Sequence, residues 1–160
     1  MRVALLTFLS LILFLTTSQA QHIRLGHRIP EIDVESRFGE ELKLIKHDYV
    51  CLIFVHSESQ PCIDALTKFK STGDHLSERL AIVLITAENN YKENSILAGF
   101  TDETISIAYD DEYHTFCNFD VEYVPFAVIY DSKRRRAQWS GSLIQLEQEV
   151  LDSIIHKPIK

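Results

Sequence analysis

The sequence predicts an α/β fold: a mixed central β-sheet flanked by helices on both faces. Two observations carry this prediction. Apolar runs of strand type alternate with segments of helical spacing, and a hairpin-like segment follows near the C-terminus. Alternating strands and helices imply parallel pairing through right-handed crossovers, and a late hairpin adds antiparallel strands. The chain has 160 residues, and we expect one domain over residues 21–160.

The first half of this domain begins with an extended segment at 29–34, followed by a turn and an alternating strand pattern at 38–44. Residues 49–55 (YVCLIFV) form a continuous apolar run rich in β-branched and aromatic residues. Such a run is typical of a strand that is covered on both faces. From Pro61 onward the apolar spacing becomes helical, at Ile63, Leu66 and Phe69.

The second half continues the alternation. The predicted elements, in order, are a buried strand at 80–86, a helix at 91–100, a short strand at 105–110, a short helix at 111–119, a strand at 125–130, a tight turn at 131–134, a partner strand through Trp139 and an amphipathic helix at 143–155. We expect Gly141 to break the chain between the partner strand and the last helix.

The first 20 residues predict a secretory signal peptide. One positive charge at Arg2 precedes an apolar run from Val3 to Leu15, and small polar residues lead to Ala20. The apolar run is short for a membrane span, so we expect cleavage after Ala20 and no stable span in the mature protein. The predicted location is therefore exported, either periplasmic or secreted.

Charge restricts the choice of partner. The chain carries a formal net charge of −7, which repels phosphate backbones, so we do not expect nucleic acid to bind.

His114 and Cys117 share a helix face, but two ligands without an accompanying pair do not predict zinc. We expect no metal and no cofactor. The basic run at 133–136 (KRRR) is interpreted as a solvated turn that protects a strand edge.

Two motifs carry a resemblance to a known family. The first is the junction Ser59-Gln60-Pro61-Cys62, where a strand passes into a helix; Pro61 fits the first turn and Ser59 fits the N-cap. The second is Val124-Pro125, which opens a later strand. With Gly26, Pro30, Gly39, Asp131 and the stretch 139–141, the chain resembles the thioredoxin-like superfamily, and within it the exported thiol–disulfide proteins of the TlpA/ResA type.

The resemblance implies a cis peptide bond at Val124–Pro125 facing the Cys62 loop. It also implies that the attacking cysteine of the family's CxxC motif is replaced by Ser59, while Cys62 occupies the second cysteine position. A helix N-terminus activates a cysteine at the first position, and nothing near Ser59 would ionise its hydroxyl. Ordinary dithiol exchange by this motif is therefore excluded unless another cysteine supplies the missing sulfur. The expected partners are protein or peptide thiols.

The remaining cysteines are candidates for that sulfur. Cys51 lies early in its strand, roughly 16 Å from the loop, which exceeds disulfide reach, so we interpret it as a core thiol. Cys117 lies on the short helix that precedes Val124-Pro125. It is either an auxiliary thiol that pairs with Cys62 or an inward-facing helix residue.

Two further functions remain open. Peroxiredoxins share the fold and carry Thr/Ser-x-x-Cys, which Ser59 and Cys62 match; however, their upstream proline is absent at Val55, and the arginines at 134–136 are expected at the wrong end of the strand. Alternatively, the domain is a non-catalytic or chaperone-like module whose backbone around Pro125 binds an extended peptide as an added strand. The sequence leaves the oligomeric state undetermined.

Overall fold

The computed structural model describes residues 23–34, 47–73, 78–88 and 95–156. Its elements, in chain order, are β1 Tyr49–Phe54, α1 Gln60–Gly73, β2 Leu80–Thr86, α2 Ser95–Ala98, β3 Ile105–Tyr109, α3 His114–Asn118, β4 Phe126–Asp131, β5 Arg136–Ser142, a 3-10 turn Leu143–Gln145 and α4 Gln148–Ile155. The predicted signal peptide, Gly39 with the strand at 38–44, and the start of the 91–100 helix lie outside these residues.

The five strands form one mixed sheet in the order β3-β2-β1-β4-β5. β1 pairs in parallel with β2, and β2 with β3, whereas β4 is antiparallel to both β1 and β5. The predicted α/β class with a mixed central sheet is therefore confirmed. β1 and β2 occupy the middle of the sheet, which explains why every residue of both strands is buried.

Two apolar layers cover the two faces of the sheet. Alternate β1 side chains, among them Cys51 and Ile53, pack with Cys62, Leu66 and Phe69 of α1 and with residues of α4. The intervening β1 side chains, such as Phe54, pack on the other face with Phe119 and with Phe116 of α3. Because successive strand residues point to opposite faces, α1 and α3 lie on opposite sides of the sheet.

The structure corrects the prediction for Gly141. The chain does not break there: β5 continues to Ser142, and Gly141 pairs with Ala127 of β4. The ring of Trp139 lies over this glycine, and a side chain at position 141 would meet that ring at 3.3 Å. Gly141 therefore makes room for an aromatic ring within the strand.

The closing helix is also shorter than predicted. The segment predicted as one helix over 143–155 divides into a 3-10 turn at Leu143–Gln145 and a helix that begins at Gln148. Leu146 and Glu147 between them have extended backbone angles. Both Leu143 and Leu146 are buried. The apolar spacing therefore predicted the buried residues correctly, but the backbone that carries them is not one continuous helix.

Candidate functional site

The two predicted motifs meet at one edge of the sheet. Phe54, the last residue of β1, pairs with Phe126, the first residue of β4, and on its other side with Ile85 of β2. The loop that follows β1 and the Val124-Pro125 segment that precedes β4 therefore lie side by side. We call this the site edge; the opposite edge holds the start of β1 and the turn after β4.

Cys62 lies within the first turn of α1 and is completely buried. Its amide donates a hydrogen bond to the carbonyl of Ser59 at 2.9 Å, and the amide of Ile63 donates to the same carbonyl at 3.1 Å. Ser59 thus stands where the helix begins and is partly exposed, whereas the sulfur lies inside the apolar layer against α1. Any reaction at Cys62 requires movement of the surrounding chain.

The Val124–Pro125 peptide bond is cis. The Pro125 carbonyl accepts a hydrogen bond from the amide of Leu143 at 3.1 Å, which extends the pairing of β4 with β5. The side chain of Val124 packs against both apolar layers and is half-buried. Within the described ranges the backbone N–H and C=O of Val124 have no hydrogen-bond partner.

The other two cysteines do not complete the site. All three cysteines are free thiols. Cys51 is a buried core thiol, and burial raises the pKa of its side chain far above the ordinary range. Cys117 is exposed on α3, so the expected alternative that it faces inward is wrong; the buried residue of that helix is Thr115. Because α1 and α3 cover opposite faces, Cys62 and Cys117 are not paired.

Sequence reasoning missed a carboxylate at the site edge. Glu88 follows β2 by two residues, and its oxygens accept hydrogen bonds from the amide of Ser57 at 3.1 Å, the hydroxyl of Ser57 at 2.6 Å and the hydroxyl of Thr86 at 2.9 Å. Ser57 is itself buried. The carboxyl ends of parallel strands gather at one edge of a sheet, so a polar residue just after β2 was the available signal.

The side chain of His56 also contacts Glu88 at the site edge. Its Nδ1 lies 3.2 Å from Oε1 of Glu88 and 3.2 Å from the amide nitrogen of Glu58. A protonated Nδ1 donates to the carboxylate, and an unprotonated Nδ1 accepts from the amide, so a single state makes only one of these bonds. His56 is therefore engaged with the loop that leads to Ser59.

The basic residues lie away from the site. The turn after β4 and the start of β5, at the opposite edge, hold Arg134, Arg135 and Arg136. There the carboxylate of Asp131 accepts hydrogen bonds from the amides of Lys133 at 2.8 Å and Arg134 at 3.0 Å. The expectation that these arginines lie at the wrong end of the strand for a peroxiredoxin is confirmed. In the part of the chain that the structure describes, no group of three or more His, Cys, Asp or Glu side chains could hold a metal ion.

Comparison with solved structures identifies the fold. A thioredoxin-like protein from Bacteroides caccae superposes with a TM-score of 0.66 at 14% identity, covering 86% of this chain and 52% of that one. StoA from Bacillus subtilis has a TM-score of 0.58 at 18% identity, covering 80% and 98%. Peroxidoxin BcpB from Mycobacterium tuberculosis has a TM-score of 0.63 at 15% identity, covering 84% and 95%.

No protein-family model and no curated protein matches the sequence. The predicted thioredoxin-like fold is nevertheless confirmed by these structural neighbours. They include both thioredoxin-like and peroxidoxin folds, so the likeness by itself does not choose between the functions left open by the sequence. Among the described helices, none is long and apolar enough to cross a membrane.

Proposed function

We propose that this protein has a role in thiol–disulfide chemistry as a partner-binding protein with a single motif thiol. It would hold a protein or peptide partner at the site edge without catalysing dithiol exchange. The observation that carries this proposal is the arrangement of Ser59 and Cys62. The position that would hold an attacking sulfur carries a hydroxyl, and the sulfur that is present is buried one turn inside the helix.

The chemistry available to such a site is limited to one exchange. The Cys62 thiolate would attack a partner disulfide, forming one mixed disulfide and releasing one partner thiolate. Resolution within the motif would need a second sulfur near position 59, and Ser59 cannot supply it. The product is a retained partner rather than a turned-over one.

Val124 would provide the non-covalent part of binding. Its backbone N–H and C=O are unpaired within the described residues, and they lie at the head of β4 beside the loop that leads to Cys62. An extended peptide laid along this position would satisfy both groups as an added strand does. Val124 and Pro125 are therefore the proposed substrate-binding residues, with Cys62 and Ser59 as the chemical part of the site.

The test is stoichiometry. The protein is mixed with a peptide disulfide that releases a coloured thiol, and adducts are located by mass spectrometry. We expect at most one thiol released per chain through Cys62, loss of that released thiol in the Cys62→Ser variant, and no catalytic reduction of insulin. Sustained reduction by the natural protein, or failure of any peptide disulfide to reach Cys62, would contradict the proposal.

The same preparation tests the peroxidase alternative. A thiolate is activated by a neighbouring cation, and the hairpin arginines lie at the far edge of the sheet, which argues against peroxide reduction. Hydrogen peroxide consumption that disappears in Cys62→Ser would replace our proposal with a peroxiredoxin-like activity.

Export is part of the proposal. The segment 1–20 has the charge, apolar run and small-residue end of a signal peptide. Expression of the full chain in a host with a secretion pathway should yield an extracytoplasmic protein that begins at Gln21. A cytoplasmic protein that retains Met1 or Arg2 would contradict export and leave the chemistry of the site as a separate question.

A further inference from the structure

Glu88 contacts the short loop between β1 and α1 through two hydrogen bonds from Ser57 and the approach of His56 Nδ1 at 3.2 Å. A further hydrogen bond, from Thr86 Oγ1 at 2.9 Å, fixes the carboxylate to the end of its own strand. The Glu88 side chain is only 15% exposed, and hydrogen bonds to a charged acceptor are stronger than neutral ones.

That loop determines where the helix of Cys62 begins. The amide of Ser59 donates to the carbonyl of His56 at 3.1 Å, which closes a turn, and the Ser59 carbonyl then accepts from the amides of Cys62 and Ile63. On the strand side, the amide of Val55 remains bonded to Ile85 at 2.9 Å. The loop is thus held by the sheet at one end and by the carboxylate of Glu88 in its middle.

We propose that Glu88 is a positioning residue that holds the 56–59 loop closed over the start of α1 and so limits access to Cys62. Cys62 is completely buried, and its neighbours in the sheet belong to the central strands. Beyond Val55, the loop is tied to β2 by side-chain hydrogen bonds to Glu88 instead of by the strand ladder. Loss of those bonds therefore opens the route to the sulfur.

This inference rests on the proposed function in one respect: Cys62 is taken as the thiol that a partner meets. The physical claim, that Glu88 controls exposure of that thiol, needs no partner. The three cysteines provide an internal scale for measuring it. Cys117 is exposed, Cys62 is buried at the site edge, and Cys51 is buried within the central strand.

The experiment is site-resolved alkylation of the reduced, folded protein with iodoacetamide, followed by mass spectrometry. Cys117 should react first. In Glu88→Ala the Cys62 rate should rise about tenfold, because hydrogen bonds to a charged group are lost. It should remain well above the Cys51 rate, which reports global unfolding, and it should depend little on urea, as a local opening does. Glu88→Gln keeps one acceptor oxygen and should restore part of the protection. Glu103→Ala, which removes an exposed carboxylate outside the loop, is the matched control.

Two outcomes would overturn the proposal: an unchanged Cys62 rate in Glu88→Ala, or a Cys62 rate equal to the Cys51 rate with the same urea dependence, which would mean that Cys62 is exposed only by global unfolding. If Glu88→Ala does not fold, Ser57→Ala removes one donor to the same carboxylate and should raise the Cys62 rate by a smaller factor, again to a rate above that of Cys51. An unchanged Cys62 rate in that variant counts against the proposal. Failure of the peptide-disulfide test, with these rates as expected, would remove the proposed function and leave the positioning role of Glu88 intact.

Discussion

Each cysteine of this chain occupies a different environment, and environment decides what a thiol can do. Cys117 faces solvent on α3. Cys62 is buried beside a loop held by hydrogen bonds to Glu88, so a local opening would expose it. Cys51 lies in the middle of β1, paired across to Ile82 and Ile129, and only disruption of the sheet would expose it.

Cys51 gives a prediction about the pH dependence of stability. Burial raises the pKa of its thiol in the folded protein, whereas in the unfolded chain a cysteine ionises near pH 8.5. Above that pH the unfolded state loses a proton that the folded state keeps, so the free energy of unfolding falls as pH rises. At pH 9.5 the loss from this thiol is about 1.4 kcal/mol.

The measurement compares wild type with Cys51→Ala by urea unfolding at pH 7 and pH 9.5. The stability difference between the two proteins should be about 1.4 kcal/mol smaller at the higher pH. Cys117→Ala, which removes an exposed thiol, should follow wild type at both pH values. An equal difference between wild type and Cys51→Ala at both pH values would show that the buried thiol does not contribute in this way.

At the scale of elements, the two parts of the C-terminal segment, α4 and the 3-10 turn before it, differ in how deeply their side chains are buried. Leu151 of α4 is 1% exposed and packs in the same apolar layer as α1, whereas Ile144 in the 3-10 turn is 56% exposed. Leu151→Ala should therefore cost about 2–5 kcal/mol of unfolding free energy. Ile144→Ala should change stability by no more than about 0.5 kcal/mol.

Thermal or urea unfolding of these two variants checks the assignment of faces. Comparable losses in both would mean that the 3-10 turn packs more deeply than the structure indicates. Negligible loss in Leu151→Ala would mean that α4 does not contribute to the core.

The strands were predictable because residues buried on both faces leave long apolar runs, as β1 and β2 do. The break at Leu146 was not, because its apolar side chain fits helical spacing while its backbone is extended. The site residues divide in the same way, into those that local sequence predicts and those that depend on contacts between strands. The motif Ser59-x-x-Cys62 could be read from local sequence, but the role of Glu88 depends on β1 and β2 being neighbours, which only the fold supplies.

For the whole molecule, the antiparallel placement of β4 beside β1 is the feature that creates the site. It brings the start of one strand next to the end of the other, so that Val124 and Pro125 meet the loop leading to Cys62. The same pairing carries the basic hairpin to the far edge, where Asp131 organises the turn. The antiparallel pairing of β4 with β1 thus places Cys62 and the hairpin arginines at opposite edges of the sheet.

The central claim is that this edge is a thiol–disulfide site lacking only its first sulfur, and Ser59→Cys tests it most directly. The introduced cysteine would stand one turn before Cys62 at the helix start. We expect no insulin reduction by the natural protein, clear reduction by Ser59→Cys, and none by Ser59→Cys combined with Cys62→Ser. A folded Ser59→Cys variant that forms no disulfide with Cys62 and reduces no insulin would contradict the account, as would Cys62-dependent turnover by the natural protein.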